Sequence, residues 1–505
     1  MLVGLVMVVL ASGDPFLGDG HHGSLTVSAR RTLSPSVPLS ADANAGAHSL
    51  DLPADAGFVS GDLLLVHRTT STTGANDRDA GAFDLSTTDL GQFEFVRLGA
   101  ATASGFALQT TLSRSYPAAG SQAVLVHEFT DVTVLDAGVI VPANSWNGSA
   151  GGIVAFLVLN ELTLDGTIDV SGAGFRGGAP VVDFAGNDPA TFGCTDPDQA
   201  LPRGAHKGEG FFSSLYGPTA AGLGRALNGG GGGDCHNSGG GAGSHVGAGG
   251  QGGASWDADG SRDVGGRGGV KLAVPDDRLT FGGAGGGGES HHGSTNNGGS
   301  NGGGVLFVRA NALRGNGRLL ADGASSPDVG DASGGAGAGG TVFLEIAKTA
   351  TCSLAAARGG NGGINPCQCE GTSGGGGGGR VLIRADFAAC VTDVTAGLGG
   401  HFDVGGTPTF RLAEPTFVNR ASFSGSSQFF DGGLRVVIEA PDAGVDAGTN
   451  AGDAGTDIDA GMTMEPDDAG VTLGVRRLTV GCGCATGDFT SLLVLAVLAL
   501  RRRIR

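Results

Sequence analysis

Three five-residue runs share one order of apolar and charged positions: Val305-Leu-Phe-Val-Arg309, Thr341-Val-Phe-Leu-Glu345 and Arg380-Val-Leu-Ile-Arg384. The second and fourth residues are apolar and the fifth is charged, which predicts strands with one buried face. Each run follows a glycine doublet, and a fourth run, Val270-Lys-Leu-Ala-Val274, follows Gly268-Gly269 with its phase shifted. The doublets end at Gly269, Gly304, Gly340 and Gly379, so the intervals are 35, 36 and 39 residues.

A second strand follows the first at nearly fixed distance. Gly166-Thr-Ile-Asp-Val-Ser-Gly172 and Gly317-Arg-Leu-Leu-Ala-Asp-Gly323 share Gly-x-[Ile/Leu]-x-[Val/Ala]-x-Gly, 14 and 13 residues past their doublets. The segment from Gly151 to Gly172 is therefore an earlier copy. One such unit cannot bury its own apolar face, whereas stacked units share a continuous core. The expected fold is all-β: a β-solenoid-like array of strand pairs with glycine-rich loops, preceded by a small β sandwich or barrel. A sandwich joined by long glycine loops is the competing architecture. The tracts at 229–233, 282–288 and 374–379 are either flexible or packed side by side in a polyproline-II-like form that glycine permits.

In chain order, residues 1–13 (apolar MLVGLVMVVLA, then Ser-Gly) read as a signal-peptide-like segment lacking a basic start. A buried strand is the other reading. Residues 24–145 are glycine-poor and carry short strands at Gly61-Asp-Leu-Leu-Leu-Val-His67, Gln92-Phe-Glu-Phe-Val96, Phe106 to Leu112 and Ala123-Val-Leu-Val-His127, which predicts an N-terminal β domain. Residues 146–440 form the glycine-rich repeat body, with an insertion at 174–266 and capping strands at 387–440. The insertion is long enough to be functional or disordered. Residues 441–475 repeat Asp-Ala-Gly, a self-repelling tether with little to bury. Residues 476–505 close the chain.

Glycine supplies 100 of 505 residues against 18 prolines, in contiguous tracts rather than at every third position, which excludes collagen. The net charge of −19 with no basic cluster in the body argues against nucleic acid as a partner. Six cysteines lie in the body: Cys194, Cys235, Cys352, Cys367, Cys369 and Cys390. An even number in an exported chain favours disulfides. The adjacent Cys367 and Cys369 each call for a distant partner; Cys194 with Cys235 is the pairing expected across the insertion, and structural zinc at Cys367-x-Cys369 is the alternative.

Catalytic motifs do not rise above chance. Gly371-Thr-Ser-Gly-Gly375 and Gly298-Gly-Ser-Asn-Gly302 have nucleophile-elbow spacing but no strand-to-helix context. No Gly-Lys-[Ser/Thr] phosphate loop occurs, and the calcium-binding nonapeptide does not recur. His21-His22, His236 and His291-His292 read as solvated loop histidines, since adjacent residues on a strand point to opposite faces. No catalytic residue, cofactor or metal is therefore expected.

The C-terminus is the most specific stretch. Gly481-Cys-Gly-Cys484 precedes the apolar run Phe489-Thr-Ser-Leu-Leu-Val-Leu-Ala-Val-Leu-Ala-Leu500, which ends in Arg501-Arg502-Arg503-Ile-Arg505. This pattern resembles the C-terminal sorting tail of myxobacterial surface proteins, and the Asp-Ala-Gly tether is similar to their linkers. The body, with Asn228 to Asn237 and Arg278-Leu-Thr-Phe-Gly-Gly283, resembles glycine-rich exported proteins. The tail resemblance implies export, membrane insertion of the run as a transmembrane helix, processing by a sorting protease near Cys482 or Cys484, and retention at the outer membrane or cell surface, with the arginines cytoplasmic.

Together these readings predict a non-catalytic, surface-anchored structural or adhesive protein, with extracellular matrix, polysaccharide or neighbouring cells as partners. The alternative is a polysaccharide-binding module or carbohydrate-active enzyme on a β-solenoid. That alternative requires paired carboxylates or aromatic platforms, and Trp146, Tyr216 and Trp256, which flank the insertion, are the candidates.

Overall fold

The computed structural model describes residues 17–72, 82–182, 204–217, 220–233, 237–253, 265–290, 297–365 and 371–402. Among them helix is confined to two short 3-10 turns, Leu85–Thr87 and Ser213–Leu215. The rest is strand and extended chain.

Ile153–Leu164 lies parallel and in register on Val305–Arg314, which lies on Thr341–Ile346, which lies on Arg380–Arg384. Ser121–Phe129 extends this ladder at the other end. After a corner, a second parallel ladder runs through Arg30–Leu33, Val139–Pro142, Thr167–Asp169, Arg318–Leu320, Thr349–Ala356 and Phe387–Asp393. Leu25–Val27 and Val132–Val134 add short strands between the two. This is a β-solenoid: each coil places side chains of the same pattern position above one another. Val154, Phe156 and Val158 stack on Leu306, Val308 and Ala310, then on Val342, Leu344 and Ile346, all inside one core.

The conserved spacing of the second-strand glycines has a steric cause. A Cβ at Gly317 would stand 2.4 Å from the Gly166 carbonyl oxygen, and one at Gly166 2.3 Å from that of Gly138. Successive coils touch backbone to backbone at this corner, where no side chain fits.

Three expectations change. The repeat strands are buried on both faces, because their third residues, and the first in Val305, are apolar too: Val305, Phe307, Phe343 and Leu382 enter a second core with Leu63, Leu65, Val124, Phe175, Phe211 and Phe281. Such continuous apolar runs are characteristic of parallel sheets covered on both sides. The run at 270–274 is not a coil. Its Leu272–Ala273 pairs with Phe83–Asp84, and coil Ile153–Leu164 stacks directly on Val305–Arg314.

Residues 24–145 are likewise divided. Leu25–Val27 and Arg30–Leu33 belong to the solenoid, and an antiparallel group of Ser36–Pro38, Ser49–Asp51, Leu63–Arg68, Phe93–Ala101 and Gly105–Leu108 is inserted between its coils around its own core. Ser121–Phe129 serves both sheets. Of the capping segment, Phe387–Asp393 is the second strand of the last coil; residues 403–440 lie outside the described residues, as do 1–16, the tether and the tail.

The glycine tracts are ordered. Along residues 282–289, amides at 282, 285 and 288 donate to the carbonyls of Gly303, Ser300 and Asn297; those at 283, 286 and 289 donate to Ser244, Gly241 and Ser238; those at 284 and 287 donate to Glu209 and His206. The carbonyls of the same segment accept from Gly230 and Gly233, Gly178 and Val181, and Gly335 and Ala338. Each neighbour is met again after three residues. This is the three-residue turn of a polyproline-II helix, which has no internal hydrogen bonds and must satisfy its backbone outside itself. Residues 282–289 thus sit among six neighbouring segments, and the described glycine segments form a hydrogen-bonded bundle.

Cys352 and Cys390 are register partners on adjacent coils and form a disulfide, with Cα atoms 4.6 Å apart. Cys194, Cys235, Cys367 and Cys369 lie outside the described residues. Cross-linking residues 38 apart in sequence removes unfolded-state entropy worth about 4 kcal/mol in the loop-closure account. Cys390→Ser is expected to lose about that much stability in urea unfolding; an unchanged midpoint would contradict this.

Candidate functional site

The densest group of titratable side chains forms where Leu-Gly-Asp-Gly-His-His-Gly, residues 17–23, crosses the first coils. Gly18, Gly20 and Gly23 adopt φ of 80°, 71° and 68°, the left-handed region glycine enters without strain. A Cβ at Gly18 would lie 2.6 Å from Glu128 Oε1. These turns bring Asp19, His21 and His22 over Glu128, Asp62 and Arg97, which three different strands or their edges supply.

Glu128 has a fully buried side chain. Arg97 donates to both its oxygens, Nη1 to Oε2 at 2.8 Å and Nη2 to Oε1 at 2.6 Å, and the amide of Asp19 donates to Oε1 at 3.1 Å. His21 Nδ1 is 2.5 Å from Asp19 Oδ1 and 3.4 Å from Glu128 Oε2. His22 Nδ1 accepts the backbone N–H of Glu128 at 3.1 Å. Asp62, also buried, accepts the amide of Val59 at 2.8 Å. The hydrogen bond to Glu128 holds the Arg97 guanidinium above its usual pKa. Burial pushes the Asp19 carboxyl up, but its bonds to His21 and the His21 and Arg97 charges outweigh that and leave it below the usual range. Burial, then the charge of His21, lowers His22; burial and His22 take His127 down to about 4.

His21 and His22 lie in a turn, as expected of loop histidines, with His21 exposed and His22 half-buried, and both imidazoles stand in one cluster with ring centroids 4.0 Å apart. Donor atoms of Asp19, His21 and Glu128, and likewise of His21, His22 and Asp62, lie within 4.8 Å of one another. The local signal was the glycine alternating with Asp and His. Asp62, Arg97 and Glu128 carried none, being joined only by folding.

The other candidates fall elsewhere. Trp146 is buried, and its Nε1 donates to Glu209 Oε2 at 3.0 Å. The same oxygen takes the backbone N–H and Nε of Arg176 at 3.0 and 2.9 Å, while Arg176 lies over the Tyr216 ring at 4.7 Å. Trp146 is thus a core anchor rather than a sugar platform; Trp256 lies outside the described residues. Ser373, of one nucleophile-like motif, is buried and accepts the Gly363 amide at 2.9 Å. Ser300, of the other, donates to the Ser325 carbonyl at 3.0 Å. Both are structural. His236, His291, His292, Cys482, Cys484, Arg501, Arg502 and Arg503 lie outside the described residues.

The charged fifth positions of the repeat form a ladder of alternating sign across coils: Arg309 pairs with Glu345, and Glu345 Oε1 accepts from Arg384 Nη1 at 3.0 Å. Arg358 joins Asp322 at 2.6 Å in a similar step.

No protein-family model matches the chain, and no curated protein sequence matches it. Among solved structures it is similar to the Pseudomonas phage phi297 tailspike gp61, at 12% identity and a TM-score of 0.15, covering 75% of this chain and 61% of that one. It is also similar to the tailspike protein gp49 from Pseudomonas phage LKA1, at 9% identity and a TM-score of 0.14, covering 73% and 52%. The chain thus spans between half and two thirds of the length of these structures. Superposition this poor carries no argument about activity.

Proposed function

We propose that the chain is a non-catalytic structural or adhesive protein, exported and held at the cell surface through its C-terminal tail. The observation that carries this reading is the glycine bundle on the solenoid. About a fifth of the chain's residues are glycine, and the described tracts among them are used to satisfy one another's backbone rather than to form a mobile loop over a cleft. A body of this kind is a stiff platform, built from backbone contacts that tolerate no side chain, with its sequence freedom confined to the connections between extended segments. Stiff, repetitive platforms suit many weak contacts to matrix, polysaccharide or neighbouring cells, where multivalency raises avidity without any single strong site. The Asp-Ala-Gly tether then sets the distance between platform and membrane.

The test is deletion of the gene, scored for cell cohesion and surface attachment, with surface labelling of the protein in the parent strain. Labelling of the intact cells and loss of cohesion on deletion are the expected results. A protein protected inside the cell would end the proposal; a labelled protein whose loss leaves cohesion and attachment unchanged would remove its adhesive half.

A further inference from the structure

We propose that Asp19, His21 and Glu128 bind a divalent transition-metal ion of the zinc class, with His22, Asp62 and Arg97 as the groups that set and hold them. One imidazole nitrogen with two carboxylates suits zinc or cobalt, whereas calcium and magnesium take oxygen donors alone. Ligand bonds of about 2.0–2.2 Å in a tetrahedral site place donor atoms roughly 3.3–3.6 Å apart. His21 Nδ1 and Glu128 Oε2 already stand 3.4 Å apart. Asp19 Oδ1, at 2.5 Å from the same nitrogen, needs to move out by about 1 Å, which the exposed Asp19 side chain can do.

Charge points the same way. Asp19, Asp62 and Glu128 bring three carboxylates together, two of them on buried side chains, and among the described residues Arg97 is the cation bonded to them. The cluster thus holds more carboxylates than guanidinium groups. A divalent ion balances it, and burying uncompensated charge is otherwise costly. The outer contacts are those a metal site requires: Arg97 fixes the plane of the Glu128 carboxylate, His22 accepts the Glu128 backbone N–H, and the Val59 amide holds Asp62. Two ligands come from residues 17–23 and the third from the strand Ser121–Phe129, so the ion would clamp that segment to the solenoid.

The experiment uses the purified full chain, stripped with a chelator and titrated with cobalt(II) and zinc(II). One saturable equivalent with the visible absorption of low-symmetry cobalt, and no heat with calcium, are expected. His21→Ala and Asp19→Asn should each weaken zinc binding by about 100-fold or more, since outer contacts alone are worth about 10- to 100-fold. The exposed His48→Ala should leave it unchanged. Absence of saturable binding, or binding that survives His21→Ala and Asp19→Asn in protein with wild-type circular dichroism, would overturn the proposal.

Discussion

Acidification from pH 7 to pH 4.5 is expected to destabilise the protein steeply, before most carboxylates begin to protonate. Two imidazoles are wholly enclosed. His67 bonds through Nδ1 to Thr69 and through Nε2 to the Leu279 carbonyl, both at 2.8 Å, and burial takes its pKa from 6.5 to about 4. His245 bonds to Thr280 Oγ1 at 2.7 Å, and burial, with the charge of Arg380, takes it to about 3. In both, the folded value lies below the unfolded one, so the unfolded chain takes up protons first as the pH falls. Stability is therefore complete above about 6.5, declines below it, and has lost the whole contribution only below about 4 for His67 and about 3 for His245. At about 1.4 kcal/mol per pH unit, that is on the order of 3 and 5 kcal/mol. Urea midpoints measured from pH 7 to 4.5 should fall continuously, and His67→Gln with His245→Gln should flatten the slope. A midpoint unchanged across that range would contradict the assignment.

Gly285→Ala is expected to cost on the order of 5 kcal/mol or to prevent folding, whereas Gly330→Ala should be neutral. A Cβ at Gly285 would stand 1.9 Å from the Gly335 carbonyl oxygen and 2.2 Å from its carbon. Relief by a backbone shift is blocked on both sides, because Gly285 donates to Ser300 and accepts from Gly178, each at 2.9 Å. Overpacking typically costs 1–3 kcal/mol, and each buried backbone group left unsatisfied adds roughly 1–3 more. A Cβ at Gly330 meets nothing within 4 Å. Thermal or urea unfolding of the two variants decides this, and equal stability would mean that the tract is not packed as described.

Alanine does enter the central segment once, at Ala284, whose methyl joins the apolar core with Phe281 and Phe175. What the tracts pack against was not legible, because Gly240 bonds to Ser333 and Gly247 to Gly378, partners that no local pattern links.

The coils themselves were legible where apolar alternation and glycine spacing coincide, at 305, 341 and 380, and in the isolated copy at 153. The run at 270–274 shares their composition, but Leu272 and Val274 pack against the second core and its partner is a two-residue strand. Leu25–Val27 and Arg30–Leu33 gave no solenoid signal, since exposed Arg30, Arg31 and Thr32 join the ladder by backbone alone. The His21 cluster was hidden for a related reason: Asp62, Arg97 and Glu128 are each ordinary in sequence, and their meaning comes from the strands that bring them together.

Hydrogen exchange of the glycine amides tests the central claim most directly. If the described glycine segments form a cooperative bundle, the amides of residues 282–288 should be protected to the same degree as those of the coil strand Val305–Arg314. Exchange of those glycines at the rate of an unstructured chain, while the strand stays protected, would contradict the account.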